Sequence, residues 1–358
     1  MKVLVGTTEI CGWVSLLQKE LNKLGHDCHT LVKSRNALYS EAAYTYDVTK
    51  LQLGKKIAGG VLQSPVHRVN RIISTAYLRS FVRRFASRYD IVIYIWDTIL
   101  PNFEDVKIFK EHGAKIIFWF TGSDIRTFRN FSNTFDVSHW KFSDYWTKED
   151  ISRKQKYVDV AETYGDLIYS VPDQAGLQRR PYYHLQIPID LSNFTFKNNR
   201  SVVPNVLHLP SDPSKKGTDV IESAIKALQN EGIEMKFHSY RNLDHKVIPA
   251  ILQEMDIVVD QIVFHGPGVL GCEAMASGCA VATRFLEPSA AVFKPPVWNI
   301  DADTIKPKLR QLFNDAGLRQ RLIEDGRGYI ETHNDSALVV RKMIENLSYP
   351  QQPDYIPA

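Results

Sequence analysis

The sequence predicts an α/β chain built as two units, each a parallel sheet wrapped by helices. Three observations carry this. Apolar runs of strand length alternate with helix-length amphipathic segments through most of the chain. The alternation breaks near residue 190 in a polar, proline-containing connection, "IPIDLSNFTFKNNRSVVPN", and then restarts. The length of 358 residues exceeds what one hydrophobic core usually organises.

In chain order, "KVLVG" reads as a buried strand leading into a loop. "WVSLLQKELNKLG" follows with Val14, Leu17, Leu21 and Leu24 at helical spacing, Gly25 as the stop, and a strand, "HDCHTLV", after it. "DIVIYIWD" and "AKIIFWFTGSD" are two further strands around a helix, "FEDVKIFKEHG". "GDLIYSV" and "HLQIPI" complete the first unit. The second unit opens with the strand "VLHLP". It continues through the helix "GTDVIESAIKALQNEG", the strand "EMKFHSY", the helix "HKVIPAILQEM" and the strand "DIVVDQIV". "HGPGVLGCEAMASGCAVAT" supplies a loop, a short helix over 269–277 ended by Gly278, and a strand. The weak strand "VWNI" and two helical segments, 301–333 and 335–347, close the pattern, and the proline-rich tail "SYPQQPDYIPA" is left without a helix. The division expected is 1–187, 188–340 and a terminal helix with tail, 341–358.

Composition narrows the classes. With 44% hydrophobic and 23% charged residues the chain reads as globular rather than disordered. No apolar run reaches the roughly 18 residues of a membrane span, and the first residues lack a signal-peptide core, so a cytoplasmic location is expected. Cys11, Cys28, Cys272 and Cys279 form no C-x-x-C pair and read as reduced thiols. The net charge of +4 is uneven. Residues 1–187 hold 26 Lys and Arg against 19 Asp and Glu, the remainder 18 against 21, which favours an anionic partner for the first half.

Gly266, Gly268 and Gly271 spell G-x-G-x-x-G after an apolar strand, the spacing of a dinucleotide pyrophosphate loop. Glu287, 16 residues beyond Gly271, is near enough to serve as the ribose acid of that fingerprint. Against it, the following helix is short, the unit is the fourth of its domain rather than the first, and Glu273 sets a carboxylate beside the phosphates.

The segment "HGPGVLGCEAMASGCAVAT" resembles the donor segment of retaining GT-B glycosyltransferases of the family-4 type, roughly E-x-x-G-x-x-x-x-E-A-M-A-x-G-x-P-V. Gly268, Glu273, Ala274, Met275, Ala276, Gly278 and Val281 match. "HLPSDPSKKGTDVIESAIKAL" resembles that family's lysine-glycine turn, and "LQEMDIVVD" its strand before the donor segment. The resemblance implies two Rossmann-like doubly wound domains facing across a cleft, with the terminal helix packing back towards the first. It also implies transfer of a sugar from a UDP- or GDP-sugar to a hydroxyl of a glycan or lipid-linked acceptor, with retention. The setting would be synthesis of cell-surface polysaccharide or glycoconjugates.

Carried onto this chain, the resemblance places Lys216 and Gly217 at the diphosphate and Gly266, Gly268, Val269 and Leu270 along the pyrophosphate. Glu273 falls on the ribose. Backbone N–H groups at a helix start suit a diphosphate, and a lysine offsets the charge that grows on the departing phosphate. Glu273 also has the simpler reading of an acid in a first helical turn. Two positions depart from the family. His265 stands where the first glutamate contacts the transferred sugar. Pro210 stands where an arginine is common, leaving Ser211 and Lys215 as substitutes. Both departures bear on the donor sugar and on turnover, so a non-catalytic partner subunit is a rival reading, as is a sugar-nucleotide epimerase of the same fold. No isolated D-x-D loop is evident, since "DAD" at 301–303 reads as a helix cap, and metal independence is expected.

In the first unit, Gly12 lies in the loop after the first strand, where the family approaches the donor phosphate. Thr121, Ser123, Asp124 and Arg126 follow another strand, at the end where α/β sheets bind ligands. Asp124 is expected against the acceptor or the transferred sugar, or else as an N-cap. Residues 55–88 hold eight Lys or Arg and no acid, threaded by apolar residues. They suit an anionic membrane surface or a core-facing helix with a basic back, and match no groove-reading nucleic-acid motif.

Overall fold

Every strand of the first unit is parallel to its neighbours and covered on both faces, which is why the runs "VLV", "IVIYI" and "IIFW" are continuously apolar. The computed structural model describes residues 1–51, 63–134, 149–198, 201–285 and 292–356. Contacts divide the chain into one unit of 1–131, 150–185 and 340–358, and a second of 132–149 and 186–339.

The first unit runs β1 (Lys2–Thr8), α1 (Trp13–Lys23), β2 (Asp27–Ser34), β3 (Tyr46–Asp47), α2 (Gln63–Phe85), β4 (Ile91–Ile95) and α3 (Glu104–Glu111). It continues through β5 (Lys115–Trp119), α4 (Phe128–Thr134), α5 (Ile151–Tyr164), β6 (Leu167–Ser170) and β7 (Tyr183–His184). The sheet order is β3-β2-β1-β4-β5-β6-β7, so the winding reverses between β1 and β4 and opens a crevice at their carboxyl ends. Val3 of β1 pairs with Cys28 of β2 on one side and Ile91 of β4 on the other. Aromatic rings fill much of the core: Tyr94, Phe118, Phe120 and Tyr157 are buried together. Asp105 is buried among them. Burial lifts its carboxyl to about 6 against the N–H groups of Ile99 and Leu100 and the Tyr94 hydroxyl, which hydrogen-bond to it at 2.8–3.0 Å. The chain's last segment belongs to this unit. Tyr182 and Tyr355 exchange two backbone hydrogen bonds and stack, and the His184 N–H donates to Asp354.

The second unit comprises β8 (Asn205–His208), α6 (Pro213–Lys216), α7 (Thr218–Asn230), β9 (Lys236–Ser239), α8 (Ile248–Glu254), β10 (Ile257–Val259) and α9 (Val269–Ser277). After these come β11 (Ala280–Thr283), β12 (Trp298–Asn299), α10 (Ile305–Asn314), α11 (Ala316–His333) and α12 (Ser336–Ser348), the last crossing into the first unit. Its parallel sheet is ordered β12-β11-β10-β8-β9, reversing between β8 and β10. Alternate strand residues feed two cores. Val206, Ile257, Val259 and Ala282 meet α7 and α10, while Leu207, Val258 and Val281 meet α8 and α9.

Two expectations are adjusted. The strand expected over 184–189 is only Tyr183–His184, because Pro188 lacks an N–H and restrains the residue before it. Ile189 instead pairs with the chain around Asp335. The helical segment 301–333 is two helices, broken where Asp315 leaves helical geometry and caps α11 by accepting from the Leu318 N–H at 2.8 Å. "DAD" behaves as expected: Asp301 accepts from the N–H groups of Asp303 and Thr304 at the start of α10.

Candidate functional site

The loops that follow β8 and β10 meet at the second unit's reversal point. After β8, Asp212 caps the single turn of α6 by accepting from Ser214, and Gly217, at φ +76°, ends α6 and starts α7. That turn delivers Lys216 to the loop after β10, where the Ile262 N–H donates to the Lys216 carbonyl at 3.1 Å. The Lys216 ammonium donates to Asp260 Oδ1 at 2.8 Å and to Gln261 Oε1 at 2.9 Å, leaving one of its three donors for a ligand. Asp260 is buried, and its second oxygen accepts the Gly268 N–H at 2.6 Å. One carboxylate therefore fixes both the lysine and the start of α9.

Gly268 has ordinary backbone angles, so its glycine identity is a matter of space: a Cβ there would lie 2.9 Å from Lys216 Nζ and 3.2 Å from Asp260 Oδ2. Gly271 is enclosed in the same way, 2.9 Å from Pro267 and 3.0 Å from Asp260. Gly266 takes φ +75° and hands its N–H to the Arg284 carbonyl. The α9 ladder begins with the Cys272 N–H bonding to the Gly268 carbonyl, so the N–H groups of Val269, Leu270 and Gly271 form the helix's positive end. That arrangement suits a phosphate group.

Glu273 lies one turn further, buried, with Oε1 accepting from His245 Nε2 at 2.6 Å. Burial holds the Glu273 carboxyl above its ordinary value although His245 pulls it back. Burial alone would lower His245, but the hydrogen bond and charge of Glu273, with the Asp244 charge, more than reverse this and raise it. The pair holds one proton tightly and presents Oε2 as its remaining acceptor.

Lys216, Gly217, Gly266, Gly268, Val269, Leu270 and Glu273 thus gather along one edge of the unit. His265 is half-buried on the same loop with its ring stacked on Phe285, centroids 4.7 Å apart. Ser211 is exposed, and Lys215 is paired with Asp212 at 3.1 Å on the surface of the α6 turn. Glu287, the acid of the dinucleotide reading, lies outside the described residues. Sequence reasoning missed Asp260, Gln261 and His245. The polar pair ending "DIVVDQ", directly after a buried strand, was a usable signal for the first two. His245 is 28 residues from its partner in a polar loop, and nothing local marks it.

In the first unit, Gly12 adopts φ +77° against the Tyr39 ring, where a Cβ would lie 2.8 Å from it. Beside it, unanticipated, Glu9 is buried; it accepts the Val14 N–H at 3.2 Å and is raised by burial to about 7. Asp124 is buried and accepts three backbone N–H groups, from Thr121, Gly122 and Ile125, at 2.8–3.1 Å. Burial nevertheless lifts it to about 6. Arg126 donates to Asp173 at 2.7 Å, and Thr121 and Ser123 are half-buried beside it. Asp124 therefore ties the loop after β5 together rather than capping a helix, since its donors lie on both sides of it and α4 starts only at Phe128, where Thr127 accepts the Asn130 N–H. Arg126 is anchored across to the loop after β6.

No known family's sequence profile matches the chain, and no curated protein matches it in sequence. Its fold has clear counterparts. It is similar to a sucrose-phosphate synthase from Thermosynechococcus elongatus, with TM-score 0.64 and 11% identity over 96% of this chain and 97% of that one. It is similar to Anabaena HepE solved with UDP and glucose, with TM-score 0.58 and 13% identity over 97% and 99%. A glycosyltransferase from Rickettsia africae gives TM-score 0.56 and 12% identity over 98% and 99%. With its two parallel-sheet units, the chain has the GT-B fold.

Proposed function

We propose that this chain is a hexosyltransferase-type glycosyltransferase that binds a UDP- or GDP-sugar in its second unit. It transfers the sugar to a hydroxyl of a glycan or lipid-carried acceptor, in the synthesis of polysaccharide or another glycoconjugate. The observation that carries the reading is the cluster of Lys216, Asp260 and Gly268 at the start of α9, with Glu273 one turn on. A diphosphate needs a cation and converging N–H donors, and a ribose needs a fixed acceptor. Lys216, held by Asp260, supplies the first, the N–H groups of Val269, Leu270 and Gly271 that Gly268 leads into supply the second, and Glu273 the third. UDP-glucose bound to HepE, and UDP with glucose in the same protein, support it.

In the reaction the acceptor hydroxyl oxygen bonds to the anomeric carbon while the carbon–oxygen bond to the diphosphate breaks; the electron pair leaves with the nucleoside diphosphate, whose phosphate oxygen takes up the hydroxyl proton. Lys216 and the α9 N–H groups stabilise that growing charge, a role that does not require a divalent metal. Glu273, oriented by His245, holds the ribose. We assign His265 to recognition of the transferred sugar, Thr121, Ser123, Asp124 and Arg126 to the acceptor, and Gly12 to donor binding. We infer retention at the anomeric carbon, without a protein nucleophile. We also infer a cytoplasmic enzyme working against the inner face of a membrane.

The test is release of nucleoside diphosphate from a panel of UDP- and GDP-sugars, with and without a hydroxyl acceptor and with EDTA. The expected result is acceptor-dependent release from one donor class, unaffected by EDTA. Acceptor-independent interconversion of the sugar would make the chain an epimerase, and nucleotide binding without turnover a non-catalytic subunit. The second outcome has a specific motive in His265 and Pro210.

A further inference from the structure

Helix α2 is apolar on two opposite sides. Leu78, Phe81, Val82 and Phe85 recur at helical spacing and pack into the first unit's core, with the Phe81 ring 4.8 Å from that of Tyr46. They account for why the helix docks. On the other side, Val69, Ile72, Ile73 and Tyr77 also recur at i, i+3, i+4 and i+8, and this stripe faces solvent. Their exposures are 46%, 61%, 40% and 39%. At about 100° per residue these four fall within an arc of about 140° opposite the buried face. Single exposed apolar residues need no explanation, but a contiguous stripe marks an interaction surface.

The stripe continues towards the helix end as a basic surface. Ala76, Arg79, Ser80, Arg83 and Arg84 line a shallow surface hollow, and all five are exposed. Across 55–88 the sequence has eight cations and no acid, whereas an ordinary solvated helix mixes both signs. Residues 55–62 of that stretch lie outside the described residues. An apolar stripe bordered by one sign of charge matches a boundary that is apolar below and anionic above. Nucleic acid would employ the arginines and leave Ile72 and Ile73 idle.

We propose that the outward face of α2 docks on an anionic lipid bilayer. Val69, Ile72, Ile73 and Tyr77 seat at the headgroup–acyl boundary, and Arg79, Arg83 and Arg84 pair with lipid phosphates. The inference is separate from the transfer reading, because α2 carries none of the donor-site residues.

Flotation of the full chain with vesicles tests it. The expected result is binding to phosphatidylcholine vesicles containing phosphatidylglycerol and little binding to phosphatidylcholine alone. Ile72→Ser with Ile73→Ser should abolish most binding without adding repulsion. Replacing the three arginines by glutamine should weaken it about 100-fold and flatten its salt dependence. Thermal melting should be unchanged in both variants, since these residues face solvent. No flotation with anionic vesicles would overturn the proposal. So would binding that survives the isoleucine changes, or that a short RNA or an acidic polypeptide displaces while those isoleucines prove dispensable.

Discussion

Lys216 and Asp260 form an ion pair with the carboxylate buried and the lysine partly so, and that dictates how mutations there must be interpreted. Removing the lysine alone strands a buried charge, at a cost of about 3 kcal/mol or more. Lys216→Ala should therefore lower the melting temperature as well as nucleotide affinity. Adding Asp260→Asn should restore most of the melting temperature and none of the affinity, and melting with and without nucleoside diphosphate separates the two effects. Recovered affinity in the double variant would remove Lys216 from the site. Gly268→Ala works from the other side. Its backbone accepts alanine, but the new methyl displaces the ammonium. Because the methyl also crowds the buried Asp260 carboxylate, melting should fall as well, though less than in Lys216→Ala, while affinity falls about 10- to 100-fold, the worth of one hydrogen bond to a charged group.

At the scale of elements, α9 was the most legible part of the site. Its start, its end at Gly278 and its small residues follow from the string "GVLGCEAMASG", and it spans the residues expected. The loop between β9 and α8 was opaque, because the contact between His245 and Glu273 is made by tertiary packing alone. Its pH behaviour is predictable now. Both groups bind their proton more tightly when folded, so the stabilisation they add is complete below the unfolded values. It is lost as pH rises through the folded ones, beginning above the ordinary value of 4.5 for Glu273 and above 6.5 for His245. Stability measured from pH 6 to 9 should fall, and His245→Asn should flatten that slope; an unchanged slope would contradict the coupling. The loop between β1 and α1 behaves in the same direction. Glu9, raised from 4.5 to about 7, is favourable below its unfolded value and loses that advantage as pH climbs through the folded one. At pH 8 Glu9→Gln should be more stable than the parent by on the order of 3 kcal/mol, with the difference vanishing towards pH 4.5 in urea melts.

For the molecule as a whole, the alternation of apolar runs and helices was enough to foresee two parallel sheets, since both faces of such a sheet are buried and its strands announce themselves. Strand order was not legible, because nothing in "KVLVG" or "DIVVD" says which neighbour it will take. The two-residue β3 carries too little pattern to be seen, whereas β7 was expected but at greater length. The order matters most for function: it sets β8 beside β10 and so brings Lys216 to Asp260 across 44 residues of chain. The most direct test of the account is a thermal-shift titration of the full chain with UDP, GDP, ADP and NAD, with and without magnesium. At about 100 times its dissociation constant a ligand adds about 2.7 kcal/mol to folding. The account predicts stabilisation by UDP or GDP, independent of magnesium, and none by NAD. Stabilisation by NAD, or by none of the four, would contradict it.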